Sequence, residues 1–271
     1  MSFEAIERHP VSLKGERELA IMQENARLLF GLFAELHRFI QAGSTGVRIQ
    51  EFCRAFLART SMQSLLRGYR DFPADLCISV NEVAVHGLPD MRPFQPDDVV
   101  SIDLAGRRGL FCADAAWTWV VPPASAKSLK LIAAAWQCCA QGIAAGGRSR
   151  RISAMGRAVQ ERSQALGHFV LPRFGGHGIG RHLHEAPLFA FIDAPQGDDQ
   201  LTDGMVVNVE PVICQSGTEV TLAADGWSWT CPPGIRAAQF EFSLALQPDG
   251  GFTVLNLADQ SLLQEPMPPF Y

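Results

Sequence analysis

Two aspartates on neighbouring β-prone runs are well suited to hold a cation. They lie in DDVVSIDLAGRRGLFCADAAWTWVV, residues 97–121. A two-residue turn at Arg108–Gly109 predicts Asp103 directly opposite Asp114 on one face of a hairpin, because side chains alternate along a strand. Like charges in direct register are destabilising unless a shared proton or a cation compensates them. A slipped register with both carboxylates in solvent is the alternative, but the apolar neighbours favour a metal-binding pair.

Two glutamates and a histidine extend this set of candidate ligands. Glu210 in GMVVNVEP and Glu241 in QFEFSLAL each stand alone in an apolar run, so each carboxylate needs a cation, a raised pKa or a buried arginine partner. His177 lies in the glycine-rich segment FGGHGIGRHLHEAP, which matches neither a dinucleotide fingerprint nor HExxH; His182 in this segment is expected to be structural.

The five residues together indicate a site for two divalent ions. Four carboxylates and one imidazole match the charge of two such ions and suit Mn, Fe, Co or Zn. Paired ions of this kind activate a bridging water and polarise a carbonyl. The residue types therefore predict hydrolytic chemistry.

Composition narrows the classes of partner. The chain has 271 residues, 47% hydrophobic side chains and a formal net charge of -5 without a block of like charges, which argues against DNA and anionic membranes as partners. No segment resembles an export signal or a bilayer span. Seven cysteines without a CxxC pair are typical of reduced thiols in a cytoplasmic protein.

Hydrophobic periodicity indicates the elements that must position these residues. Apolar spacing predicts helices over 16–40 and 47–60, and again over 126–145 and 152–166, with Gly146 and Gly147 breaking the third helix. Strand-like runs follow each helix pair. This repeated plan predicts an α+β fold in one domain, 1–271, built of two related halves with helices on antiparallel strands, after a lead-in of about residues 1–14.

Five motifs, in order, carry a family resemblance. They are NEVAVHGLPD at 81–90, VVSID with its second aspartate eleven residues on, GGHGIGRHLHEAP, DGMVVNVEP and AQFE. With these motifs the chain resembles the type I methionine aminopeptidases, whose pita-bread fold is shared with prolidases and creatinases. The resemblance implies that Asp103, Asp114, His177, Glu210 and Glu241 are the metal ligands, with Asp114 and Glu241 bridging both ions.

The resemblance also implies roles for residues that are not ligands. Glu210 would act as the base, and His86 and His184 would contact the substrate near the scissile amide. The methionine side chain would enter a pocket formed by the residues Leu66, Tyr69, Phe72, Cys77, Leu183 and Trp227. Ordinary core packing is the alternative for these pocket positions.

This chain departs from the family pattern around the ligands. Phe242 stands where the family usually has histidine, Ala115 and Ala116 where it has Thr-Ser, and Leu66 and Leu183 where bacterial members commonly have Cys and Phe. Lost hydroxyls and a lost imidazole thin the layer of groups that orients the ligands. The first helix begins close to the start of the chain, which implies a bacterial-type short form.

Three readings of function follow. The first is a cytoplasmic, monomeric aminopeptidase that removes N-terminal methionine from peptides or nascent proteins through a metal-bridging hydroxide, with the ribosome as a candidate partner. The second is a divergent paralogue with the same metals that acts on an Xaa-Pro peptide or a specialised metabolite. The third is a non-catalytic peptide-binding protein, which retention of all five ligands disfavours.

Overall fold

The structure is a computed structural model that describes residues 9–194 and 199–263. Residues 1–8 of the predicted lead-in lie outside the described residues, as do 195–198 and 264–271 of the predicted domain. The helices are α1 (Glu16–Leu36), α2 (Gly46–Arg59), α3 (Ala126–Ser149) and α4 (Ile152–Ala165), with 3-10 turns at His37–Phe39, Tyr69–Asp71 and Gln260–Leu263. None of these described helices is both long and apolar enough to cross a bilayer.

The prediction that Gly146 and Gly147 break the third helix is wrong, because α3 continues to Ser149. A Cβ on Gly147 would lie 2.5 Å from the ring of Phe252, and one on Gly146 would lie 2.3 Å from Met155 Cε. The two glycines therefore allow neighbouring elements to pack closely against the helix. α3 is followed instead by Arg150 in the left-handed conformation, with φ of 55°.

The strands are short except for one long hairpin. They are β1 (Gln63–Ser64), β2 (Cys77–Val80), β3 (Val83–Val85), β4 (Val99–Arg108), β5 (Phe111–Val120), β6 (Phe169–Val170), β7 (Gly175–Gly178), β8 (Glu185–Ala190), β9 (Val206–Val209), β10 (Val212–Cys214), β11 (Thr221–Leu222), β12 (Trp229–Thr230), β13 (Ala237–Gln239), β14 (Phe242–Leu246) and β15 (Phe252–Val254).

All sheet pairings between these strands are antiparallel, and the α+β class is confirmed. One sheet has the order β1–β4–β2 with β5 also paired to β4; two small sheets have the orders β13–β10–β6 and β11–β12–β3. A five-stranded sheet has the order β15–β14–β9–β7–β8. Helix α1 packs on β5, and α3 packs on α4 and β13. Apolar side chains from these helices and both larger sheets form one extended core.

The register predicted for the aspartate hairpin is wrong by two residues. Asp103 pairs with Ala116, and Asp114 pairs with Ala105, because the two-residue loop is Gly109–Leu110. Gly109 has φ of 66°, as the first central residue of a type II′ turn requires, whereas the predicted turn would have placed Arg108 there. A shift of two residues preserves the face, so both carboxylates still point the same way, as diagonal neighbours.

Candidate metal centre and active site

The five candidate ligands lie where the sheets meet. Asp103 and Asp114 lie on β4 and β5, and His177 lies on β7. The sequence pattern placed the two glutamates inside strands, but the structure places both of them outside. Glu210 lies at the break between β9 and β10, and Glu241 at the break between β13 and β14. At each break the chain passes between the five-stranded sheet and the β13–β10–β6 sheet.

Ligand atoms of three of these residues converge. One side-chain atom each from Asp114, His177 and Glu241 lie within 4.8 Å of one another, and all three residues are buried. His177 Nε2 lies 3.9 Å from Asp114 Oδ2 and 3.2 Å from Glu210 Oε1. Asp103 and these four residues all line one cavity. The backbone N–H of Glu241 donates to Ala116 O at 3.0 Å, which holds Glu241 beside β5.

Burial and repulsion between neighbouring charges raise the pKa values of Asp103, Asp114 and Glu241. Burial, followed by the charges of Asp114 and Glu210, raises the pKa of Asp103 and that of Glu241 well above their usual values. Burial also raises the pKa of Asp114 to about 7, although His177 opposes the rise. Burial alone would lower the pKa of His177, but Glu210 and Asp114 raise it. A divalent cation would relieve this repulsion because it favours the ionised carboxylates.

The donor atoms fit such a cation. His177 Nδ1 contacts the backbone O of Gly178 at 2.9 Å, so a neutral ring donates there and presents its Nε2 lone pair to the carboxylates. Glu210 Oε1 is buried and has no regular hydrogen bond among the described residues, although it lies 3.2 Å from His177 Nε2. A lone pair facing carboxylate oxygens is stabilised by a metal ion between them.

Close backbone approach explains the glycines around His177. A Cβ on Gly176 would lie 2.2 Å from Asn208 O, and one on Gly178 would lie 2.3 Å from Ala186 O. Side chains at either position would push β7 away from β8 and β9. His177 therefore reaches the carboxylates because its two neighbours lack side chains.

His184 and His86 line the same cavity without belonging to the ligand cluster. The ring of His184 lies 4.4 Å from that of His177, and its Nδ1 lies 3.0 Å from the hydroxyl oxygen of Tyr69. Burial, followed by the charge of His177, lowers the pKa of His184 to about 2. His86 has φ of 58°, an uncommon conformation for a residue other than glycine, and its ring stands edge-on to Phe174.

The cavity has a volume of about 310 Å³ and includes every candidate site residue named from the sequence. Leu66 and Trp227 pack against a buried cluster that contains Phe72 and Cys77, and the rings of Phe72 and Trp227 are perpendicular with centroids 5.1 Å apart. Leu183 is also buried. The residues expected to form the methionine pocket therefore line the same cavity as the carboxylates, and all but Tyr69 are apolar there.

Sequence reasoning missed several cavity residues. Val85, Phe174, Leu222, Trp229 and Gln239 also line the cavity, and nothing in their local patterns separates them from ordinary strand or loop residues. Asn208 lies behind the cluster, and a signal for it existed. It is a polar residue in an apolar run, two positions before Glu210, and the alternation of side chains along a predicted strand would have placed both on one face.

Comparisons with known proteins agree with this geometry. The model of metallopeptidase family M24 matches residues 20–246. Methionine aminopeptidase 1 of Bacillus subtilis (strain 168) is 29% identical over 242 residues, which cover 89% of this chain and 97% of the relative. A methionine aminopeptidase of Clostridium perfringens (strain 13 / Type A) is 30% identical over 240 residues, covering 89% and 96%.

A solved structure extends the likeness to the fold. The crystal structure of methionine aminopeptidase from Rickettsia prowazekii superposes with a TM-score of 0.86 at 24% identity, covering 91% of this chain and 100% of that one. At that identity the superposition supports the pita-bread fold alone.

Proposed function

The chain belongs to metallopeptidase family M24, and on that premise we propose that it is a metal-dependent aminopeptidase that removes N-terminal methionine from peptides and nascent proteins. The observation that carries the proposal is the convergence of ligand-type side chains next to an apolar pocket within one cavity of about 310 Å³.

Asp103, Asp114, His177, Glu210 and Glu241 would hold two divalent ions, drawn from Mn, Fe, Co or Zn, with Asp114 and Glu241 shared between them. Bound divalent ions supply Lewis acidity that polarises a substrate carbonyl and lowers the pKa of water. The buried, mutually repelling carboxylates support this assignment, because their ionised forms need positive charge nearby.

The chain's own groups would manage protons and orient the peptide. The Glu210 Oε1 atom, which has no hydrogen-bond partner among the described residues, would accept the proton of the attacking water. A neutral His184 whose Nδ1 accepts from the Tyr69 hydroxyl carries its proton on Nε2, where it can donate to the scissile amide. His86, which lines the same cavity, would also contact the substrate.

The apolar wall formed by Leu66, Phe72, Cys77, Leu183 and Trp227 suits an unbranched thioether that makes sulfur–aromatic contacts. Discrimination by such a wall is limited, so the preference for Met over Leu should be at most about a few hundredfold in kcat/KM. Charged first residues should be rejected much more strongly, since their head groups would be buried without partners.

Metal content and a peptide panel test the proposal together. The panel comprises Met-Ala-Ser, Leu-Ala-Ser, Lys-Ala-Ser, Glu-Ala-Ser and an Xaa-Pro peptide, assayed by kcat/KM with the Mn, Co or Fe form. We expect Met-Ala-Ser to be the best substrate. A Lys or Glu peptide cleaved as well as the Met peptide, or an Xaa-Pro peptide cleaved better, would favour the divergent-paralogue reading. Metal binding without hydrolysis of any peptide would favour a peptide-binding protein.

We further propose that residues 1–271 form a single catalytic unit that acts as a monomer in the cytoplasm, on short peptides or on nascent chains at the ribosome. The seven cysteines are buried free thiols, which suits a reducing compartment.

A further inference from the structure

The side-chain amide of Asn208 lies directly behind two of the candidate ligands. Its Nδ2 atom donates to Glu241 Oε1 at 2.8 Å and reaches Asp114 Oδ2 at 3.4 Å. Asn208 is fully buried. An amide nitrogen carries two hydrogens, so this one nitrogen can serve both of the carboxylates expected to bridge the metal ions.

A neighbouring hydroxyl fixes which way this amide points. Ser243 lies opposite Asn208 in the β9–β14 pair, and its Oγ donates to Asn208 Oδ1 at 2.8 Å. The backbone N–H of Ser243 donates to Asn256 Oδ1, and Asn256 Nδ2 donates to Asp114 O. The reversed amide would aim its oxygen at two carboxylates, so the network selects the orientation in which Asn208 donates to them.

The residues next to Glu241 and Asp114 in the sequence have apolar side chains, which cannot donate hydrogen bonds to these carboxylates. Among the described side chains, Asn208 alone donates a hydrogen bond to the Glu241 carboxylate. Phe240 and Phe242 flank Glu241, and their rings stand edge-on to buried tryptophans. Asp114 is followed by two alanines, and within the described part of the chain its Oδ1 receives only the backbone N–H of the first. The carboxylates are thus supported from behind by one amide.

We propose that Asn208 is a positioning residue that holds Asp114 and Glu241 in the orientation needed to bind the metal ions, and that Ser243 acts through it. The inference rests on the ligand set of the proposed function. Groups that hydrogen-bond to metal ligands typically change metal affinity by about 10- to 100-fold when removed. We expect an effect of that size for Asn208, because no other described side chain replaces its bond to Glu241.

The test is the affinity of the metal-free protein for Mn²⁺, measured by isothermal titration calorimetry, alongside the thermal midpoint. Asn208→Leu keeps the branch at Cγ but removes both N–H donors, and it should raise the Kd for Mn²⁺ by about 10- to 100-fold. Ser243→Ala should raise the Kd less. Ser243→Ala added to Asn208→Leu should raise it no further, because Ser243 then has no amide to orient.

Asn25 provides a matched control. It is also buried, and its Nδ2 donates to the backbone O atoms of Arg108 and Phe111 at the far end of the hairpin. Asn25→Leu should lower the thermal midpoint without changing the Kd for Mn²⁺. An unchanged Kd in Asn208→Leu, an equal rise in Asn25→Leu, or additive effects of Asn208→Leu and Ser243→Ala would each overturn the proposal.

Failure of the underlying function is visible separately in the unmodified chain. If the unmodified protein neither binds Mn²⁺ nor hydrolyses Met-Ala-Ser, the proposed ligand set itself is refuted. If the unmodified protein does both and Asn208→Leu has the same Kd for Mn²⁺, only the proposed role of Asn208 is refuted.

Discussion

The buried ion pair between Lys14 and Glu185 should be among the most costly polar contacts to break in this fold. Lys14 Nζ lies 2.8 Å from Glu185 Oε2, and the two side chains are only 3% and 2% exposed. The other oxygen of Glu185 accepts the backbone N–H groups of Arg181 and His182 at 2.9 and 3.2 Å. The pair therefore ties the segment before α1 to the loop that ends at His184.

Replacing one partner leaves the other charge buried. Breaking a buried pair in this way costs about 3–5 kcal/mol. Lys14→Met should lie near the low end, about 3 kcal/mol, because Glu185 keeps the Ser12 hydroxyl and two backbone N–H donors. For a chain of this size that loss lowers Tm by about 6–12 °C. Glu185→Gln should cost more, because the Lys14 ammonium would retain one strong acceptor, the backbone O of Ser12.

Denaturant and thermal unfolding at one fixed metal concentration measure these losses, since bound metal also shifts Tm. The double variant Lys14→Met/Glu185→Gln should be less destabilised than the sum of the single variants, because no unpaired charge remains. Glu35→Gln removes the exposed pair with Arg38 and should cost at most about 0.5 kcal/mol. A loss below about 1 kcal/mol for Lys14→Met, or strict additivity in the double variant, would refute the reasoning.

The remaining predictions concern metal, catalysis and pH. Chelation should abolish hydrolysis and Mn, Co or Fe should restore it, while Asp114→Asn should lose metal and activity together; full hydrolysis by metal-free protein would contradict the assignment. His184→Ala should lower kcat with metal content unchanged, whereas stoichiometric metal loss would make His184 a ligand. Burial raises the pKa of Asp97, but hydrogen bonds from Ser125, Arg236 and Ser128 lower it overall to about 2. A carboxyl whose pKa is depressed in the fold stabilises the fold at pH values above its unfolded pKa of 3.8, and this contribution is lost as pH falls towards 2. Asp97→Asn should therefore cost about 1 kcal/mol at pH 7. In unfolding experiments from pH 5 to 3 the cost should become progressively smaller.

Local sequence patterns predicted the fold class, the family and the positions of most helices and strands. Helical spacing placed α1, α2 and α4 to within a few residues because it reports which face of a helix is buried. It failed at Gly146 and Gly147, where propensity favours a break but Phe252 and Met155, distant in sequence, occupy the space of the missing side chains. Only the packed structure reveals that such glycines permit close contact.

Register shows the same limit. The alternation of side chains correctly predicted that Asp103 and Asp114 share a face, yet the turn was misplaced, and the two residues are diagonal rather than opposite. A two-residue shift leaves the apolar pattern unchanged, so that pattern could not detect it. The preference for glycine at the first central position of a type II′ turn was the local signal that could have. The φ of 66° at Gly109 decides the register.

The sequence by itself determined which residues are available for chemistry, because an isolated carboxylate in an apolar run is recognisable without any partner. The roles assigned to them remain predictions. Only the tertiary structure decided how these residues meet: Glu210 and Glu241 at breaks between sheets, Asn208 behind a carboxylate 33 residues away, and Lys14 against Glu185 across 171 residues. Periodicity describes one face of one element, whereas a contact depends on two elements whose relative placement is set by the packing of the whole core.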